Sequence, residues 1–154
     1  MIEVVRESTA PTERLWAVMS DVRGWPTWLP TVDAVTALDP DRVDEVGAEY
    51  RVEQPKLPPA VWRITEVVPG RSFTWESSAP GMRSVGTHEL RPHPDGTTSI
   101  ALGITWSGVL APLVRFLVGR TARDYVEQEA EALDRTASGA DAGPADPAPD
   151  APGA

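Results

Sequence analysis

The spacing of hydrophobic residues changes along this chain of 154 residues, and each change predicts a different kind of element. Apolar residues at Ile2–Arg6 predict a short first strand. Leu15, Val18, Met19 and Val22 then recur three or four residues apart, which is the spacing of one face of a helix. The chain therefore opens with a strand followed by a short amphipathic helix.

A segment dense in tryptophan and proline, Asp21–Pro30, follows that helix. Proline disfavours a long helix there. Its two indoles, Trp25 and Trp28, are costly to leave in water and need an apolar surface. We therefore expect a short, bent helical piece that closes a hydrophobic cavity as a lid or anchors itself against the core.

Period-two alternation with turn residues between the runs then predicts six strands. They are Val32–Leu38, Ala48–Glu53, Val61–Val68, Ser72–Ser77, Met82–Pro92 and Thr97–Trp106. Because the connections are short, we expect an antiparallel meander.

A long helical pattern closes the folded part and runs to about Arg135. Pro112 suits its first turn. Its apolar stripe is made by Leu113, Val114, Leu117, Thr121, Tyr125 and Leu133. An apolar sheet face and such a helix must bury each other. The expected fold class is α+β: a curved antiparallel sheet of six to seven strands around a long C-terminal helix, with two short helices after the first strand and a ligand cavity between the layers.

Composition divides the chain into two parts. Residues 1–135 carry the periodic elements, whereas residues 136–154 are rich in Ala, Pro, Asp and Gly. A segment without large apolar side chains cannot offset the entropy cost of ordering, so we expect 136–154 to be a disordered tail.

Net charge and composition restrict the classes of partner that we expect for this chain. The net charge of −9 makes nucleic acid and an anionic membrane surface poor partners. The chain has no cysteine, no signal-peptide pattern and no apolar run long enough to span a bilayer, since Val109–Gly119 is short and contains Arg115. A cytoplasmic protein without membrane insertion is expected; its oligomeric state is left open.

Several motifs resemble the START-like (SRPBCC) superfamily, and specifically its bacterial polyketide cyclase/dehydrase branch. They are residues 10–16 (APTERLW), 21–32 (DVRGWPTWLPTV), 62–75 (WRITEVVPGRSFTW), 86–90 (GTHEL) and 105–108 (TWSG). The resemblance covers residues 1 to about 135 and implies a helix-grip fold. It also implies two alternatives: a carrier or sensor of a lipid- or polyketide-like molecule, or a cyclase/dehydratase.

Alternation along the predicted strands directs one set of side chains inward. The expected cavity residues are Trp25, Trp28, Tyr50, Trp62, Phe73, Trp75, His88, Leu102, Ile104, Trp106, Leu117 and Thr121. Each aromatic ring could serve packing or ligand contact, and Tyr50 could offer its phenol to a ligand or reach solvent from the wall.

His88 is the candidate for chemistry. An imidazole can give or take a proton near neutral pH, so His88 could be a general acid or base. It could instead orient the polar end of a ligand, or be a buried histidine that is hydrogen-bonded to a neighbouring hydroxyl or backbone group. No phosphate loop, metal-ligand spacing or nucleophile elbow occurs, so neither a cofactor nor a metal is expected. A carrier needs only the cavity, whereas a cyclase also needs His88. A surface adaptor is the third alternative, although no large exposed apolar pattern stands out.

Overall fold

The computed structural model describes residues 1–139. Seven strands and two α-helices follow one another in the order that the sequence predicts. The strands are β1 (Ile2–Ser8), β2 (Ala34–Ala37), β3 (Glu49–Glu53), β4 (Ala60–Val68), β5 (Ser72–Ala79), β6 (Met82–Pro92) and β7 (Thr98–Ser107). The helices are α1 (Thr12–Ser20), a 3₁₀ helix (Val22–Thr27) and α2 (Ala111–Ala137).

All seven strands form one sheet in the order β1-β7-β6-β5-β4-β3-β2. Every neighbouring pair is antiparallel, and β2 to β7 follow one another as a meander. A register shift between Ile64 and Glu66 interrupts the pairing of β4 with β5. A bulge of this kind increases local twist and so helps the sheet to curve. The predicted fold class is confirmed.

The inward face of the sheet carries the residues that alternation selected. Tyr50, Phe73, Leu90 and Ile100 are buried on it, and α2 covers that face. The C-terminal half of α2 contributes Leu133 to the same core.

One carboxylate ties the end of α2 to the first strand. Asp134 accepts hydrogen bonds from Arg6 Nε at 3.0 Å and from Ser8 Oγ at 2.6 Å. The helix continues to Ala137, two residues beyond the predicted end of the domain. The rest of the predicted tail, from residue 140, lies outside the described residues.

The first half of α2 departs from the expectation. Leu113 and Leu117 belong to the predicted buried stripe, yet they are 53 % and 66 % exposed. The buried positions of this helix are concentrated in its second half. Leu117 and the buried Leu133 are sixteen residues apart and therefore lie about 160° from each other around the helix, so the two do not share one face. Within residues 1–139, no helix is long and apolar enough to cross a membrane.

Candidate ligand-binding cavity

A cavity of about 90 Å³ lies between the sheet, the 3₁₀ helix and α2. Its lining residues are Trp25, Val32, Val52, Gln54, Leu57, Trp62, Trp75, Gly86, His88, Gly103, Ile104, Ala122, Tyr125, Val126 and Glu129. Trp25, Trp75 and His88 are among the buried members, whereas the loop residues Gln54 and Leu57 and the helix residue Tyr125 are half-buried.

Three tryptophans supply much of the apolar wall. The rings of Trp62 and Trp75 lie 5.1 Å apart at 30°, and Trp25 meets Trp75 edge-on at 5.2 Å and 62°. The Trp25 indole N–H donates to the Met19 carbonyl at 3.0 Å. Since that bond uses the only polar atom of the side chain, Trp25 offers the cavity an apolar surface.

Gly86 makes room for the Trp75 ring. The two residues are directly opposite each other on β5 and β6. A Cβ atom at position 86 would lie 2.4 Å from Trp75 Nε1 and 2.7 Å from its Cδ1. Any larger residue would therefore push the indole out of its place beside the cavity.

His88 is held by aromatic contacts. Its imidazole stacks on Phe73, with centroids 4.1 Å apart and planes 10° from parallel. Trp75 meets the same imidazole edge-on at 5.5 Å. Only 5 % of His88 is exposed. The ring is thereby confined to one orientation at the wall.

Glu129 brings a carboxylate to this imidazole from the opposite layer. Its Oε1 lies 3.2 Å from His88 Nε2, without the alignment of a hydrogen bond. His88 Nδ1 and Glu129 Oε1 are both buried and find no hydrogen-bond partner within residues 1–139. Buried polar atoms without partners are uncommon, and each costs about 1–3 kcal/mol. Both residues line the cavity, so the two unpartnered atoms lie at its wall.

Tyr125 connects α2 to the β3–β4 loop (residues 54–59). Its hydroxyl donates a hydrogen bond to the Pro55 carbonyl, while its side chain lines the cavity. Burial raises the pKa of the Tyr125 phenol. This bond links α2 to the β3–β4 loop, whose residues Gln54 and Leu57 also line the cavity.

The sequence of residues 1–138 matches the family model described as polyketide cyclase/dehydrase and lipid transport. The chain belongs to this family. No curated protein matches the chain in sequence.

Solved structures agree with the fold of the polyketide cyclase/dehydrase family. TTHA0849 from Thermus thermophilus is 20 % identical, with a TM-score of 0.69 over 91 % of this chain and 98 % of that one. A START superfamily protein from Mycobacterium smegmatis is 16 % identical, with a TM-score of 0.67 over 89 % and 96 % of the two chains. The hypothetical protein jhp0584 from Helicobacter pylori is 12 % identical, with a TM-score of 0.74 over 88 % and 85 %. These likenesses show the START-like, helix-grip fold.

In this member of the polyketide cyclase/dehydrase family, five of the twelve expected residues line the cavity. They are Trp25, Trp62, Trp75, His88 and Ile104. Phe73 and Leu102 are buried behind that wall, where Phe73 supports the His88 ring.

The other five expected residues lie outside the cavity. Trp28 borders a surface groove beside Pro26, and Trp106 borders a separate hollow beside Arg115. Leu117 is exposed and Thr121 half-buried on α2, because the helix turns these positions away from the cavity. Alternation assigns a residue to a face of the sheet, but it does not say which part of that face a cavity occupies.

The fifth, Tyr50, is fully buried with an internal partner. Its hydroxyl accepts from the Asp44 backbone N–H at 2.8 Å and donates to Asp44 Oδ1 at 3.1 Å. Burial raises the pKa of the Tyr50 phenol. Asp44 has a positive φ of 57°, so this pair fastens a loop in an uncommon conformation. Tyr50 is 0 % exposed, so it does not reach solvent from the wall, and it is not among the residues that line the cavity.

Glu129 is absent from the sequence-based site, although a signal for it exists. It lies three residues after Val126 and four before Leu133, which places a carboxylate within an apolar helical stripe. A charge at such a position indicates a buried polar partner. The loop residues Gln54 and Leu57 carry no comparable pattern.

Proposed function

We propose that this chain binds a compact apolar molecule with a ring and one polar group, of lipid- or polyketide-like chemistry, and acts as its carrier or sensor. The observation that supports this proposal is an aromatic-walled cavity whose polar atoms, His88 Nδ1 and Glu129 Oε1, lack partners within residues 1–139. Membership of a family whose description includes lipid transport agrees with it.

The apolar part of the ligand follows from the wall. Tryptophan faces favour flat rings through stacked and edge-on contacts. Burial of apolar surface contributes roughly 25 cal/mol per Å². Sites for drug-sized ligands measure about 300–1,000 Å³. The cavity of about 90 Å³ thus suits a compact molecule or one end of a longer one.

The polar part follows from the His88–Glu129 pair. A carboxylate oxygen only accepts hydrogen bonds, whereas a neutral imidazole has one donor and one acceptor nitrogen. A hydroxyl or enol can donate to the Glu129 carboxylate and accept from the His88 tautomer that carries its proton on Nδ1. A ligand with such a group would remove the cost of the unpartnered atoms, and a pure hydrocarbon would not.

The test compares p-cresol with toluene, which lacks only the hydroxyl, in chemical-shift titrations of the full chain. We expect p-cresol to bind at least about tenfold more tightly, equivalent to one satisfied buried polar group. Glu129→Gln and His88→Ala should reduce this preference. Trp62→Ala should make the binding free energy of both ligands less favourable by about 1–3 kcal/mol, because contact area is lost.

Trp106→Phe is the matched control, since Trp106 lies outside the cavity. It should leave both affinities unchanged. If the unaltered chain binds p-cresol and toluene equally, His88 and Glu129 do not recognise the hydroxyl. If Trp62→Ala binds both compounds as tightly as the unaltered chain, the ligand does not bind in this cavity.

The Glu129 carboxylate beside His88 favours a second candidate, a cyclase/dehydratase. His88 would take a proton from a CH₂ group between two carbonyls, and Glu129 would stabilise the imidazolium. The carbanion would form a C–C bond with another carbonyl carbon of the same chain, and the resulting alkoxide would recover the proton from His88. Loss of water would then leave a C=C bond.

Turnover distinguishes the two candidates. A poly-β-carbonyl thioester is incubated with the unaltered chain, His88→Ala and Trp106→Phe. A cyclase loses about 10²-fold or more of its rate in His88→Ala, the usual contribution of a general acid or base, and keeps it in Trp106→Phe. A carrier binds the compound and leaves it unchanged.

A further inference from the structure

The His88–Glu129 pair has two buried polar atoms without a hydrogen-bond partner within residues 1–139, His88 Nδ1 and Glu129 Oε1. Imidazole is the side chain that ordinarily gains or loses a proton between about pH 5 and 8. A proton gained here changes how many hydrogens the pair can donate. The kind of ligand atom that the pair needs therefore depends on its protonation.

Among the neighbours of the His88 ring, Glu129 is the ionisable one. The 3₁₀ helix, β5, β7 and α2 face this ring with Trp25, Phe73, Trp75, Leu102 and Glu129. Tyr125, one helical turn before Glu129, donates its hydroxyl to the Pro55 carbonyl, and burial raises the pKa of its phenol, so it stays neutral over this pH range. The charge at this part of the wall is thus set by His88 and Glu129 together.

Without an added proton, the pair has fewer hydrogens than lone pairs. A neutral imidazole carries one N–H hydrogen, and an ionised carboxylate carries none. If the hydrogen is on His88 Nε2, it points toward Glu129 and leaves the Nδ1 lone pair without a donor. If it is on Nδ1, Glu129 Oε1 lacks a donor instead. In both tautomers the pair needs a hydrogen, which a ligand hydroxyl supplies and a carbonyl oxygen does not.

One added proton reverses this requirement. His88 Nε2 and Glu129 Oε1 lie 3.2 Å apart, so alignment of the two groups would place one hydrogen between them. Whether that hydrogen is bonded to Nε2 or to Oε1, the second hydrogen of the pair is on Nδ1. Nδ1 is then a donor that needs an acceptor. A carbonyl oxygen meets this need, whereas a hydroxyl that accepts from Nδ1 leaves its own hydrogen without an acceptor in the pair.

We propose that protonation of the His88–Glu129 pair selects the polar group of the ligand. The pair without the added proton takes a hydroxyl or enol compound, and the pair with it takes a carbonyl compound. This inference rests on the proposed binding function and adds a second ligand class to it, ketones and aldehydes with a compact apolar body.

The aromatic wall suits both forms of the pair. The imidazole of His88 lies on the face of Phe73, with centroids 4.1 Å apart, and a cation within about 6 Å of an aromatic centroid is attracted to the ring. A protonated His88 would therefore have the Phe73 face on one side and the Glu129 carboxylate at Nε2. The apolar body of the ligand meets the same tryptophans in either case, so only the polar contact differs between the two ligand classes.

The experiment compares 1-phenylethanol with acetophenone, which has the same carbon skeleton and a carbonyl in place of the hydroxyl. Both compounds stay neutral, and chemical-shift titrations of the full chain measure their affinities at about pH 5.5 and about pH 8. We expect the ratio of alcohol affinity to ketone affinity to be at least about tenfold higher at the higher pH, equivalent to one satisfied buried polar group.

The chain has two histidines, so the imidazole signals of both can be followed by NMR in the same samples. The change of preference should coincide with the titration of His88. His88→Asn should give an affinity ratio that does not vary with pH, because an amide does not titrate in this range. His93→Asn is the matched control, since His93 is hydrogen-bonded to Ser99 and is not among the lining residues. It should keep the change of preference.

Any of four results would overturn this inference: no binding of acetophenone at about pH 5.5, the same affinity ratio at both pH values, a His88 that does not titrate between them, or a pH-dependent ratio that persists in His88→Asn. The first three concern the unaltered chain, so they hold even if His88→Asn does not fold. The preference for p-cresol over toluene at about pH 8 tests the proposed function separately. If that preference is present and the ratio is constant, only this inference fails, and if both are absent, both fail.

Discussion

At the scale of the residue, the cavity depends on the absence of a side chain at Gly86 as much as on the aromatic rings around it. The Trp75 indole occupies the space where a Cβ atom would be. Trp75 in turn meets Trp25, Trp62 and His88. A change at this glycine should therefore disturb every aromatic contact of the wall.

Gly86→Ala should lower the free energy of unfolding by about 1–3 kcal/mol, the range found for overpacked sites. Gly119→Ala should raise it by about 0.5–1 kcal/mol, because alanine is the better helix former and its Cβ would meet only Arg115 Cγ at 3.7 Å. Urea denaturation followed by tryptophan fluorescence measures both. No loss of stability in Gly86→Ala would contradict this account of position 86.

At the scale of the element, α2 combines two environments in one helix. Its second half packs on the sheet through residues such as Leu133 and is tied to β1 by Asp134. Its first half exposes Leu113 and Leu117. Between the two, Tyr125 joins the helix to the β3–β4 loop. The middle of α2 therefore joins the cavity wall to the β3–β4 loop.

Tyr125→Phe should loosen the β3–β4 loop, because the Pro55 carbonyl loses the tyrosine hydroxyl as its donor. Hydrogen–deuterium exchange of amides in residues 54–59 should become several-fold faster. Amides of β6 should exchange as before, since local opening does not require global unfolding. Unchanged exchange in the loop would show that this bond does not hold it.

At the scale of the whole molecule, residues 1–139 contain one sheet, a core and the cavity beneath α2. The domain boundary proposed from composition, near residue 135, lies close to the end of α2 at Ala137. Residues 140–154 contribute no aromatic and no large aliphatic side chain.

A chain that ends at Gly139 should unfold with a free energy within about 0.5 kcal/mol of the full chain, as expected when no aromatic or large aliphatic side chain is removed. A chain that ends at Glu131 loses Leu133 and Asp134, and its cooperative unfolding transition should disappear. Thermal unfolding followed by circular dichroism compares the two. A large loss of stability in the longer chain would mean that the last fifteen residues contribute to the fold.

The sequence by itself determined the order of elements, the antiparallel meander and the inward residues assigned in β3 to β7. Residues such as Trp75 and His88 were assigned to the correct face because alternation is a local property of an extended chain. Only the tertiary structure decided that Glu129 lies beside His88, that the Tyr50 hydroxyl is hydrogen-bonded to Asp44, and that Leu117 is exposed. The physical reason is that these contacts depend on how α2 and the loops pack on the sheet. That packing is the joint result of many side chains far apart in sequence, so the local spacing of hydrophobic residues does not predict it.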